Sequence, residues 1–147
     1  MAQWIVLLGL AVIGGLLWLA CGDGEEAPPT GGAEVQVTLD EWSIKPNVST
    51  VKAGPITFKA DNRGAVAHEL EIFSIGRDVD IAKLPLKASK ADPEAVGAKE
   101  IGEIEEEDLP SKGKDEATFT LQSGRYLLIC NIPAHYQQGM YAELKVE

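Results

Sequence analysis

Gly124–Glu147 reads GRYLLICNIPAHYQQGMYAELKVE, and this stretch decides the fold and most of the chemistry. An apolar run, Tyr126–Ile129, leads into Cys130; a loop carrying His135 and Met140 follows; then Ala142, Leu144 and Val146 alternate with charged residues to the last position. Alternation with period two marks a half-buried strand, so the stretch is predicted to be strand, loop, strand. A loop held at both ends by strands places its side chains far better than a free tail would. Thiol, imidazole and thioether on a single loop of eleven residues suit a soft or borderline metal, copper above all.

The same alternation recurs upstream. Val35, Val37 and Leu39 alternate with Gln36 and Thr38, and Ile56, Phe58 and Ala60 with Thr57 and Lys59. Val66, His68, Leu70 and Ile72 are predicted to share one face of the next strand, with Glu69 and Glu71 opposite; Ala117, Phe119 and Leu121 alternate with threonines. Between these runs lie Lys45-Pro46-Asn47, Ala53-Gly54-Pro55, Asp61-Asn62-Arg63-Gly64 and Ser123-Gly124, all turn chemistry. Many short strands spaced this way predict an all-β protein, a sandwich or barrel of about 7–8 strands. Residues 76–113 lack the alternation and are predicted to be a long insertion between two strands. It holds one short helix, with Asp92 as its cap and Pro93 in its first position.

His68 lies sixty-two positions before Cys130 but on the face expected to point into the core. Each candidate ligand has an ordinary structural explanation: a small buried cysteine, a core-filling methionine, a satisfied histidine. Jointly those explanations fail. They would have to account separately for both histidines of the chain, its one cysteine beyond the N-terminal region and its one methionine beyond the initiator. Zinc fits less well, because structural zinc sites rarely use thioether sulfur and catalytic ones keep a position open.

The length of 147 residues is one domain's worth, and a net charge of −10, from 13 basic against 23 acidic side chains, excludes the usual electrostatic drive toward nucleic acid. Two cysteines this far apart make no disulfide framework. Six of the carboxylates fall in Glu100–Asp108 (EIGEIEEED), which reads either as a solvated face or as a surface steering a basic partner.

Trp4–Ala20 contains seventeen residues without a polar side chain, at the short limit for a membrane span and also suited to a secretory signal. The run ends at Cys21 after Leu17-Trp18-Leu19-Ala20, which resembles a bacterial lipoprotein signal. There, cleavage before the cysteine leaves it to be lipidated. The alternative is an uncleaved helical anchor. Residues 1–20 are thus expected to be a signal or membrane anchor, 21–33 a flexible tether (CGDGEEAPPTGG and the residue after it) and 34–147 the folded domain. Either attachment places that domain outside the cytoplasm, on a membrane.

Cys130-x4-His135-x4-Met140, entered by Gly124-x-Tyr126 and followed by a last strand, resembles the copper loop of the cupredoxins, the small blue copper proteins, with the spacing of azurin and auracyanin. Trp42-Ser-Ile44-Lys-Pro46, Val51-Lys-Ala-Gly54, Phe58, Asn62 and His68 resemble the N-terminal half of the same family. The resemblance implies a Greek-key β-sandwich and one type 1 copper ion. His68, Cys130 and His135 would be its equatorial ligands and Met140 its long axial one. It implies a carrier of single electrons, not an enzyme, working between redox proteins such as a c-type cytochrome or a respiratory or photosynthetic complex. Ile132, Pro133, Ala134 and Tyr136 would form an apolar docking collar around His135. Two positions depart from the family pattern, Glu69 where an asparagine ties the ligand loops together and Ala67 where azurin has glycine. Rival readings are a copper delivery or storage protein and a metal-free envelope scaffold. A dinuclear copper domain would need a second cysteine, which residues 131–134 do not supply.

Overall fold

The computed structural model describes residues 32–147. The predicted signal or anchor, Cys21 and nearly all of the tether lie outside the described residues.

Eleven strands are formed there: β1 (Ala33–Asp40), β2 (Ser43–Pro46), β3 (Thr50–Val51), β4 (Gly54–Asn62), β5 (Leu70–Ile75), β6 (Leu86–Lys87), β7 (Lys90–Ala91), β8 (Lys99–Ile104), β9 (Lys114–Leu121), β10 (Gly124–Ile129) and β11 (Tyr141–Val146). Two sheets pack face to face, one in the order β2-β1-β4-β9 and the other β3-β11-β10-β5-β8, while β6 and β7 make a separate hairpin. β1 and β4 run parallel with Val35 beside Phe58, and β4 meets β9 antiparallel with Ile56 beside Phe119. The alternating residues of the sequence fill the space between the sheets: Val35, Val37, Leu39, Ile56, Phe58 and Ala60 from one side, Leu70, Ile72, Leu128, Leu144 and Val146 from the other.

β10 shows why its sequence is apolar without alternation. Tyr126, Leu128 and Cys130 face the inter-sheet core, whereas Leu127 and Ile129 enter a second core with Phe73, Ile75, Leu84, Ala91, Ala98 and Tyr136. The insertion thus covers the outer face of the second sheet, and a strand buried on both faces reads as continuous hydrophobicity. Arg125 ties this cover down, pairing with Glu143 (2.7 Å) and donating to the carbonyls of Gly76, Arg77 and Val79.

Asp92 caps the expected helix, its side chain accepting from the Ala95 N–H at 3.2 Å with Pro93 at the first position; the helix is a single 3₁₀ turn, Pro93–Val96. Two expectations are corrected. The insertion is not strandless from 76 to 113: β8 pairs antiparallel with β5, Leu70 opposite Ile104, as the sheet's edge. Charges at Glu100 and Glu103 protect such an edge from further pairing, and they also hide its alternation. The strand expected from Val66 begins at Leu70, and Val66 itself is exposed.

Candidate metal centre

Cys130 is the first residue beyond β10 and keeps the inward phase of Tyr126 and Leu128, so its sulfur points into the rim of the core, fully buried. The loop closes on itself: the Cys130 N–H donates to the Met140 carbonyl (3.1 Å) and the Met140 N–H to that of His135 (3.3 Å). One helical turn, His135–Gln138, lies between, entered at Ala134 with φ 72° and left at Gly139 with φ 114°.

The insertion grips this loop at three points. Ala134 N–H donates to the Ser89 carbonyl (2.7 Å), and the Asn131 side chain pairs with both backbone groups of Ala91 (2.7 and 3.2 Å). The Tyr136 hydroxyl accepts from Leu84 N–H and donates to the Ile81 carbonyl, each at 2.9 Å.

His68 stands in the extended segment before β5, its ring completely buried and its N–H bonded to the Leu109 carbonyl (3.1 Å). That segment is held from a distance. Asn62, fully buried, donates to the carbonyls of Val66, Leu109 and Pro110 and accepts from the Gly64 N–H (2.8 Å). The Glu41 carboxylate accepts from the N–H groups of Ala65 and Val66. Neither role is visible in local sequence pattern; the one cue is a polar Asn62 in the inward phase at the end of β4.

The three predicted ligand atoms converge. Cys130 Sγ lies 3.3 Å from His135 Nδ1 and 3.8 Å from His68 Nδ1, and the two nitrogens are 3.4 Å apart. A point equidistant from all three is about 2.0 Å from each, the length of a metal–imidazole bond and a little less than that of a metal–thiolate bond. Among the described residues these three are the group of side chains able to hold a metal ion. Met140, fully buried in the same core, completes the set of four.

Burial lowers the pKa of both imidazoles, so they are neutral ligands near pH 7, and for His68 the nearby His135 adds to the effect. Burial pushes the Cys130 thiol up to about 12, against the smaller opposing pull of backbone N–H groups from Glu69 and Ile132. Without a metal the sulfur therefore keeps its proton; a bound cation displaces it.

The departure at Glu69 costs the site no tie. Its Oε1 accepts the Asn131 N–H at 2.8 Å while its own N–H faces the sulfur at 3.5 Å, so a carboxylate links the two ligand segments. Of the expected docking collar, Pro133 and Ala134 are exposed and Ile132 is half-buried against the core. Tyr136 is a correction: it is buried, because on a helical turn successive side chains diverge by about 100°, and with His135 facing the metal position Tyr136 must face inward. Trp42, not anticipated there, is 42% exposed and meets the His135 ring edge-on at 5.1 Å.

A family model described as copper binding proteins, plastocyanin/azurin family, matches residues 32–147. No curated protein matches the chain. Among solved structures the chain is similar to auracyanin from the photosynthetic bacterium Roseiflexus castenholzii, at 24% identity over 79% of this chain and 99% of that one, with a TM-score of 0.55. It is similar to auracyanin A, a blue copper protein of Chloroflexus aurantiacus, at 21% identity over 80% and 100% of the two chains (TM-score 0.50). Rusticyanin from Thiobacillus ferrooxidans matches at 18% identity over 79% of each chain (TM-score 0.53). At these identities the likeness speaks for the two-sheet fold, while the family model covers the whole described domain. The chain therefore belongs to the plastocyanin/azurin family of copper-binding proteins, and copper is the metal that His68, Cys130, His135 and Met140 hold.

Proposed function

We propose that this protein carries single electrons between redox proteins from a position outside the cytoplasm, held to a membrane by its N-terminus. The observation that carries the electron-transfer reading is the ligand triangle, already at bonding separation and braced by three contacts from the insertion. Bound copper supplies a one-electron couple, and four protein ligands leave no open position for substrate chemistry. What the chain contributes is a set of donors that need to move little when the charge on the metal changes. Complete burial of His68, Cys130 and Met140 weighs against the delivery or storage reading, which calls for exchangeable ligands.

His135 is the one ligand with an exposed flank, so the electron passes through its edge, among Trp42, Pro133 and Ala134. Glu106 and Glu41 lie close enough to act on His135, and Glu69, Glu103, Glu105, Glu106 and Glu107 line an adjacent groove. Carboxylates beside an apolar contact patch suit a basic partner, such as a basic c-type cytochrome. Ala134→Lys is expected to slow reduction of such a cytochrome by about tenfold at low ionic strength and to leave the visible spectrum unchanged. Stopped-flow mixing measures it, and an unaltered rate retires the patch.

The tether rests on the apolar run Trp4–Ala20 and the Cys21 that ends it. Lipidation of Cys21 predicts that Cys21→Ser shifts the protein's electrophoretic mobility and blocks metabolic labelling with fatty acid. Membrane recovery of an unmutated protein that takes up no fatty acid assigns attachment to the apolar run itself, and recovery of the unmutated protein in the soluble fraction removes the tether altogether.

A further inference from the structure

With Nδ1 of His68 turned toward the other ligand atoms, a metal-bound ring carries its remaining proton on Nε2. That nitrogen is completely buried and has no hydrogen-bond partner. Buried donors without an acceptor are rare and costly. The acceptor facing it is Oε1 of Glu41, 3.7 Å away across a narrow gap.

Three features show that this approach is built. The carboxylate is held in place by the N–H groups of Ala65 and Val66, the segment immediately before the ligand. The space where the two groups meet is cleared by Gly64: a Cβ there would stand 2.3 Å from Glu41 Oε1 and 2.9 Å from His68 Nε2. Glycine is the residue that leaves room for both. The neighbouring Trp42 packs against the other imidazole, so adjacent residues of one turn address the two histidines.

We propose that Glu41 is a positioning residue for His68: its carboxylate accepts the Nε2 proton of the copper-bound imidazole, fixing the tautomer and the ring plane. Partners of this kind raise the basicity of the ligand nitrogen. A more basic imidazole favours the cupric over the cuprous state, so Glu41 lowers the reduction potential. This inference rests on the copper reading.

Glu41→Gln tests it on the full chain loaded with copper. The amide keeps the size and the bonds to residues 65 and 66 but removes the charge. The visible band is expected to persist while, at a fixed applied potential, the ratio of reduced to oxidised protein rises about tenfold, which for a one-electron couple is 59 mV. In the diamagnetic cuprous protein, proton NMR is expected to show a slowly exchanging His68 Nε2–H that shifts in Glu41→Gln and exchanges rapidly in Glu41→Ala. A ratio changed by less than twofold, with that resonance unmoved, overturns the assignment. Absence of the visible band from the unmutated protein overturns the copper reading instead.

Discussion

Cys130→Ser is expected to abolish the intense visible absorption expected of a copper–thiolate bond and to weaken copper binding by about two to three orders of magnitude. The size follows from sharing a metal-binding free energy of about 10–16 kcal/mol among four ligands, roughly 3 kcal/mol each. An alcohol in place of the thiol is harder and far less acidic, so it supplies neither the charge nor the soft donor that a thiolate gives copper. The same residue sets a pH signature. Because burial holds the metal-free thiol near 12, each copper ion that binds at neutral pH displaces one proton from Cys130. The histidines add nothing in this range, since their pKa values lie below the ordinary one and both rings are already neutral at pH 7. Apparent affinity should therefore rise about tenfold from pH 7 to pH 8, one proton per ion, and the slope should vanish in Cys130→Ser. Competition with a chelator of known pH dependence measures both. A flat profile in the unmutated protein would mean that the thiolate forms before the metal arrives.

The site was legible in the sequence where it is local and obscure where it is not. Cys130, His135 and Met140 share one loop, and rare residue types at close spacing suffice to find them. His68 is marked by the phase of an alternating run, although the strand starts two residues after it. Its position is set instead by Asn62 and Glu41, which reach it from the end of β4 and the β1–β2 turn. Such bonds leave no periodic trace. The insertion hides its purpose for the same reason: Asn131 to Ala91 and Tyr136 to Leu84 join positions 40 and 52 residues apart. β8 leaves no such signal, because charges on an exposed edge strand replace the polar–apolar rhythm by which strands are recognised. The two-layer fold suffered less, since its core is filled by inward residues whose alternation is intact.

Asn62→Ala is expected to destabilise the metal-free protein by about 2–4 kcal/mol, which lowers the melting temperature by roughly 10 °C for a domain of this size. The side chain is fully buried; the two protons of its amide nitrogen are shared among the carbonyls of Val66, Leu109 and Pro110, and its oxygen accepts from Gly64. Not every loss counts in full. The Leu109 carbonyl keeps the His68 N–H, and the bonds to Val66 and Pro110 are only partly buried, so water can replace them. The Gly64 N–H is buried and is left unpaired, which costs about 1–3 kcal/mol by itself. Asn62→Asp separates hydrogen bonding from shape. It is nearly isosteric and retains the acceptor for Gly64, yet it turns a carboxylate toward three carbonyl oxygens with no proton to donate. At pH 7 it is therefore expected to be at least as destabilising as alanine. The folded state raises the pKa of such an acid, so it binds more protons than the unfolded chain, and stability should return as the pH falls toward 4. Thermal melts of the three proteins between pH 4 and pH 7 decide the matter. If Asn62→Asp melts with the unmutated protein at pH 7, donation by Asn62 is not what holds the His68 segment, and the placement of that ligand has another source.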